Sequence, residues 1–138
     1  MGKRIISQAR GKGGPVYRVR KKGFLIKVKY PMNEGEAEIL NVVHSPAHTA
    51  PLLKLKIGKE VFYNPAFNGA TVGDKISLGG EVKEGNILFI KDIPTGTQIY
   101  NVELNPGDGG KMTRTAGSNA LAGKKHDHNK ASVLMPNK

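Results

Sequence analysis

Three short stretches hold residue types whose spacing could support chemistry. His126-Asp-His128 puts two imidazoles and a carboxylate within three positions. A zinc centre needs three or four well-placed ligands, and no further donor follows a metal-site spacing here, so the stretch reads as a polar loop. Pro106-Gly-Asp-Gly-Gly-Lys111 has the glycines and lysine of a phosphate-cradling loop. It lacks the Ser or Thr after the lysine and the spacing of a nucleotide-binding loop, and no helical pattern follows, so nucleotide hydrolysis is not expected. Its glycines would still let backbone N–H groups approach an RNA phosphate. His44 and His48 flank Pro46 in a turn, with no orienting acid or pocket to make either a general base. The chain has no cysteine, so disulfides, thiolate metal sites and cysteine nucleophiles are excluded. The expectation is a protein that is not an enzyme, with no metal, no cofactor and no small-molecule substrate.

The elements that must carry these stretches are short strands. Residues 37–43 read as one strand, closed by His44-Ser-Pro46. Residues 52–57 alternate, with Lys54 and Lys56 on one face and Leu53, Leu55 and Ile57 on the other. Gly58-Lys59 turns into residues 60–63, predicting a hairpin. Residues 75–78 and 86–90 complete a set of about five strands, the pattern of a small barrel of the oligonucleotide-binding (OB) type. A second set is expected at residues 98–104, 111–115, 120–122 and 131–135. No 11-residue window carries a helical apolar stripe. The fold class is therefore all-β: an OB-like barrel at 31–97, an incomplete second barrel at 98–138, and a basic arm at 1–30.

Charge separates these regions. The 138 residues carry 22 Lys and Arg against 11 Asp and Glu, a formal net charge of +11. Residues 1–29 hold ten of the basic residues and no acid, residues 30–104 are net −3, and residues 105–138 are net +4. An acid-free arm broken by Gly11, Gly13, Gly14, Pro15 and Gly23 repels itself and has no compact state of its own, whereas a polyphosphate backbone neutralises it. Nucleic acid is the natural partner. Within the arm only residues 24–30 alternate enough for a short strand, and Tyr17, Phe24 and Tyr30 could either stack on bases or pack on the body. No run reaches the roughly 18 apolar residues of a membrane span, and the basic N-terminus lacks a secretory apolar stretch. A cytoplasmic protein with no membrane association is expected.

Several motifs resemble one family. Gly2-Lys-Arg-Ile-Ile-Ser-Gln8 followed by Arg10-Gly-Lys-Gly13 is similar to the N-terminus of the archaeal-type large-subunit ribosomal protein L-two family. His44-Ser-Pro-Ala-His-Thr-Ala-Pro51 is similar to that family's first inter-strand turn. The most specific likeness is the succession Gly85-Asn-Ile-Leu, Ile93-Pro-Thr-Gly-Thr97, Tyr100-Asn-Val-Glu103, Pro106-Gly-Asp-Gly-Gly-Lys111 and Arg114-Thr-Ala-Gly117. The resemblance implies an OB-like barrel followed by an SH3-like barrel, and a structural role binding large-subunit rRNA, with neighbouring ribosomal proteins as further contacts. It also implies that Lys3, Arg4, Arg10, Lys12, Lys111, Arg114 and Thr115 face RNA. The charge of the arm adds Arg18, Arg20, Lys21 and Lys22, and the first turn adds His48.

This sequence departs from the family pattern at His48, where an arginine is usual, and at Phe89 and Thr95. The likeness stops at Lys138, about midway through the family's second barrel. A free-standing OB-type binder of single strands, acting as an RNA chaperone, is the alternative. It would need a platform of exposed aromatics on a basic barrel face. Here the barrel region is net acidic, and Phe62, Tyr63, Phe67 and Phe89 suit packing at least as well.

Overall fold

Alternating leucines and lysines with a glycine turn make the central hairpin. In the computed structural model, which describes residues 2, 5–15, 17–126 and 130–137, β2 (Leu52–Ile57) and β3 (Glu60–Pro65) pair antiparallel from Ile57↔Glu60 to Leu52↔Pro65. Gly58 takes φ 55° at the first turn position, where a tight hairpin needs a positive value. β1 (Gly35–Val43) lies on the other side of β2, and β4 (Lys75–Leu78) pairs with β1, giving an antiparallel sheet of order β3-β2-β1-β4. A bulge between Ile39 and Asn41 leaves Leu40 without a partner across the β1–β2 ladder. One face of this sheet forms the core of Ala37, Ile39, Leu53, Leu55, Ile57, Phe62, Ile76 and Leu78. Lys54 and Lys56 point away from it, as the alternation requires.

The expected fifth strand at 86–90 shrinks to one parallel bridge, Leu78↔Ile87, followed by a 3-10 turn at Ile90–Asp92. Asn86 accounts for the shortening. Its side chain accepts from the Ser77 N–H at 2.9 Å and donates to the Glu81 carbonyl at 3.0 Å, so it closes a loop instead of extending a ladder. Residues 24–30 also form no strand. They are held by the buried Val28, by one backbone bond from the Lys29 N–H to the Tyr63 carbonyl at 3.3 Å, and by the Tyr30 hydroxyl. Earlier in the arm, Ile6–Ala9 make one helical turn, α1, where no helix is expected from the sequence.

The second sheet has the order β5-β6-β7, with β5 at Gln98–Ile99, β6 at Ala120–His126 and β7 at Lys130–Leu134. The strands expected at 98–104 and 111–115 are reduced to β5 and an isolated Val102↔Met112 bridge. Asn101 at φ 51° and Thr113 at φ 50°, opposite one another, break the extended backbone of both segments at one end of that bridge. The architecture is all-β apart from the two short helical turns.

Asn101 joins the parts. Its Nδ2 donates to the Tyr30 hydroxyl at 2.9 Å and to Asn64 Oδ1 at 2.6 Å, and the Tyr30 hydroxyl donates back to the Asn101 carbonyl at 2.7 Å. Asn64 lies on the same face of β3 as Phe62, and both Asn64 and Asn101 are almost fully buried. Gly110 packs so closely that a β-carbon there would overlap the Asn101 side chain. Burial, reinforced by the Tyr100 hydroxyl, raises the pKa of Tyr30 well above its ordinary 10. Burial also pushes Tyr100 up to about 12. A raised folded-state value means that stability is intact below pH 10 and declines as pH rises through the folded values. Alkaline denaturation followed by circular dichroism should show this loss. Tyr30→Phe should cost about 1–3 kcal/mol in urea unfolding at neutral pH, because it strands a buried carbonyl and an amide hydrogen.

Candidate nucleic-acid interface

The basic side chains of the arm are exposed because nothing acidic near them in sequence competes for them. Arg10, Lys12, Arg18, Arg20, Lys21 and Lys22 are all exposed. Among the described residues, the ion pairs are Lys75 with Glu36, Lys83 with Glu81 and Lys111 with Asp108, and none engages the arm. Lys3 and Arg4 lie outside the described residues. Arg10 and Lys12 follow α1 in a turn whose backbone hydrogen bonds stay within the arm. Further on, the Gly23 N–H donates to the Arg20 carbonyl at 2.8 Å, closing a turn that carries Lys21 and Lys22 at its tip.

That turn lies against the first inter-strand turn of the body. A β-carbon on Gly23 would sit 3.5 Å from Ala47 Cβ, and the Phe24 ring meets His48 edge-on, with centroids 5.7 Å apart. The body's turn is held by the His48 N–H on the Ser45 carbonyl at 3.1 Å and by Ser45 Oγ with His48 Nδ1 at 2.7 Å. From the other side, the Ala116 N–H donates to Thr49 Oγ1 at 3.1 Å. Arg114 stands near enough to His48 to disfavour its protonation. Three stretches far apart in sequence therefore meet: residues 19–24, residues 45–49 and residues 114–116. The sequence indicates each of them separately. Their meeting depends on Gly23, Ala47 and Thr49, which carry no chemical signal of their own.

The glycine-rich loop behaves differently from its sequence reading. Glu103 accepts from the N–H groups of Gly107 at 3.2 Å and Gly109 at 2.8 Å. Asp108 accepts from Leu104 and Asn105, each at 3.2 Å, and from Gly110 at 3.1 Å. The loop's own carboxylates thus occupy the N–H groups that a phosphate would need. Burial raises the Asp108 carboxyl's pKa, but these N–H donors and Lys111 outweigh it, and the net value is lowered. Gly107, Gly109 and Gly110 are needed for positive φ and close packing, Gly109 against the backbone of residues 28 and 29. Lys111 can still reach a phosphate with its exposed side chain. Arg114 donates from Nη1 to the Gly110 carbonyl at 3.1 Å, and its buried Nε has no partner among the described residues. Thr115 is exposed beside it.

The remaining candidates separate cleanly. Tyr30 is committed to the internal hydrogen bonds described above and cannot stack on a base. Tyr17 and Phe24 are about half exposed. Phe62 is buried, Phe67 packs against the core, and Phe89 is exposed with Lys91 Nζ 5.4 Å from its ring centre. They do not form a row of exposed stacking rings. His126 shares a 2.7 Å hydrogen bond with Ser132 across the β6–β7 hairpin, while Asp127 and His128 lie outside the described residues.

An all-β protein that exposes a cluster of unpaired cations where three loops meet has the build of a polyanion binder. Residues 83–138 match the family model for the C-terminal domain of ribosomal proteins L2. The large ribosomal subunit protein uL2 of Methanocella arvoryzae is 41% identical over 143 residues, covering 99% of this chain and 60% of that protein. Its counterpart in Hyperthermus butylicus is 42% identical over 128 residues, covering 88% of this chain and 53% of that protein. The uL2 of Sulfolobus acidocaldarius is 40% identical over 126 residues, with the same coverage of 88% and 53%. The chain belongs to the uL2 family of ribosomal proteins, in its archaeal form, and spans between half and two thirds of the length of these relatives.

Burial, with Arg114 as the second cause, lowers the His48 pKa below 6.5. The folded state therefore favours neutral imidazole, and the stability this provides above pH 6.5 is lost as pH falls through the folded value. An NMR titration should place the His48 midpoint below 6.5. Arg114→Ala should return it only part of the way, since burial remains. His48 is consequently a neutral packing and hydrogen-bonding group at pH 7, not the cation an arginine would supply there.

Proposed function

We propose that this chain is a structural, non-catalytic component of the cytoplasmic large ribosomal subunit that binds and stabilises large-subunit rRNA. The observation that carries this reading is the meeting of the arm's cationic turn, the 45–49 turn and the Arg114 stretch, with none of the arm's cations paired to an acid among the described residues. Membership of the uL2 family supports it independently. Arg10, Lys12, Arg18, Arg20, Lys21 and Lys22 neutralise phosphates along the arm, together with Lys3 and Arg4. Lys111 and Thr115 extend the contact beyond the glycine-rich loop, and Arg114 braces it from behind. Neighbouring ribosomal proteins are further partners. Residues 1–30 act as the arm, 31–97 as the OB-like unit and 98–138 as part of an SH3-like unit. Such a protein lowers the repulsion between packed RNA segments instead of transforming a substrate.

Competition binding tests the reading: structured large-subunit rRNA should displace an unstructured homopolymer, and preference for the homopolymer would favour a single-strand chaperone. Removal of residues 1–22 tests the arm while leaving Val28, Lys29 and Tyr30 in their packed positions. If six of its eight cations touch phosphate, the slope of log affinity against log salt should flatten by about four to five units, at roughly 0.7–0.9 per phosphate. An unchanged slope would make the arm a passive tail.

A further inference from the structure

Between the arm's turn and the body's turn lies a cavity of about 230 Å³ lined by Val19, Arg20, Gly23, Pro46 and Ala47. Its side chains are mostly apolar, yet it opens within a group of exposed cations. Val19 lines the cavity with Pro46 and Ala47 yet stays 64% exposed, so its side chain is open to a ligand. A β-carbon on Gly23 would press on Val19 Cγ1 at 3.2 Å and on the Arg20 carbonyl at 3.1 Å, so glycine is what lets the arm's turn close this tightly along its wall of the cavity. Phe24, 56% exposed and directed edge-on at His48, follows Gly23 immediately.

We propose that this cavity receives a single unpaired nucleobase projecting from RNA. The inference rests on the rRNA-binding reading and adds a specific site to it. Three features select that occupant. The cavity is smaller than the roughly 300 Å³ at which drug-sized ligand pockets begin, and suits one flat ring system. Its walls offer the aliphatic faces of Val19 and Pro46, while Arg20 supplies a planar guanidinium that can stack on a base. Lys21 and Lys22 stand at the tip of the same turn, where the phosphates flanking an extruded nucleotide would run. An apolar peptide side chain would fit the walls but leave this cationic rim without a counterpart.

The test uses the full chain and three RNA hairpins that differ at one position: a single bulged adenine, an abasic bulge, and no bulge. Wild-type protein should bind the bulged-adenine hairpin about five- to 150-fold more tightly than the abasic one, the range found for stacking of one base. Ala47→Leu fills the cavity without altering charge and should abolish that preference while leaving the salt slope unchanged. Val19→Ala, at an exposed position that does not threaten folding, should reduce the preference several-fold. Equal affinity of the wild type for the adenine and abasic hairpins overturns the cavity assignment while leaving rRNA binding intact. A preference that survives both substitutions also overturns it, by locating base recognition elsewhere. Failure to bind any of the hairpins or large-subunit rRNA overturns the underlying reading and this inference with it.

Discussion

The arrangement of this molecule depends on one buried amide. Asn101 lies where the arm, the first sheet and the second half of the chain converge, and its Nδ2 is shared between Tyr30 and Asn64. A buried amide is costly unless its hydrogen bonds are made; here Nδ2 finds one partner in the arm and one in the first sheet, while Oδ1 has none among the described residues. Hydrophobic burial alone would not fix their relation, because apolar contact is non-directional and the second half buries few large apolar groups. The hydrogen bonds supply the direction. They also account for Gly110, which must lack a side chain so that Asn101 can occupy its place.

The acidic residues are used locally and leave the arm alone. Glu103 and Asp108 spend their oxygens on the N–H groups of their own loop, and Glu36 and Glu81 face lysines of the first sheet and the loop after it. Among the described residues, the arm is thereby left as an uncompensated positive strip. From the second half of the chain, the Ala116 N–H holds the 45–49 turn through Thr49 Oγ1, and that turn faces the arm.

How much of this could be read beforehand depended on the range of the interactions. Strands β2, β3 and β4 were legible because alternation and a glycine turn are local signals, and Leu53, Leu55 and Ile57 bury as their spacing requires. The strand expected at 86–90 fails because Asn86, a hydrophilic residue in an otherwise apolar run, finds backbone partners nine residues back and five residues back. The glycine-rich loop misleads for a related reason. Its glycines look available to phosphate until folding brings Glu103 and Asp108 to the same N–H groups. The cationic arm was legible from charge alone, but the cavity beside it was not, because valine, glycine, proline and alanine in two separate loops carry no pattern.

The span of the Tyr30–Asn101 contact, 71 residues along the chain, sets an order of events during synthesis. At about 5–20 residues per second, several seconds separate the emergence of Tyr30 from that of Asn101. The β2–β3 hairpin needs only a two-residue turn and can form in that interval, whereas the arm's anchor must wait with its hydroxyl hydrated. Closing such a long loop costs more chain entropy than closing the two-residue hairpin turn. The newly made chain therefore offers its cationic strip to solvent before the contact that orients the strip exists.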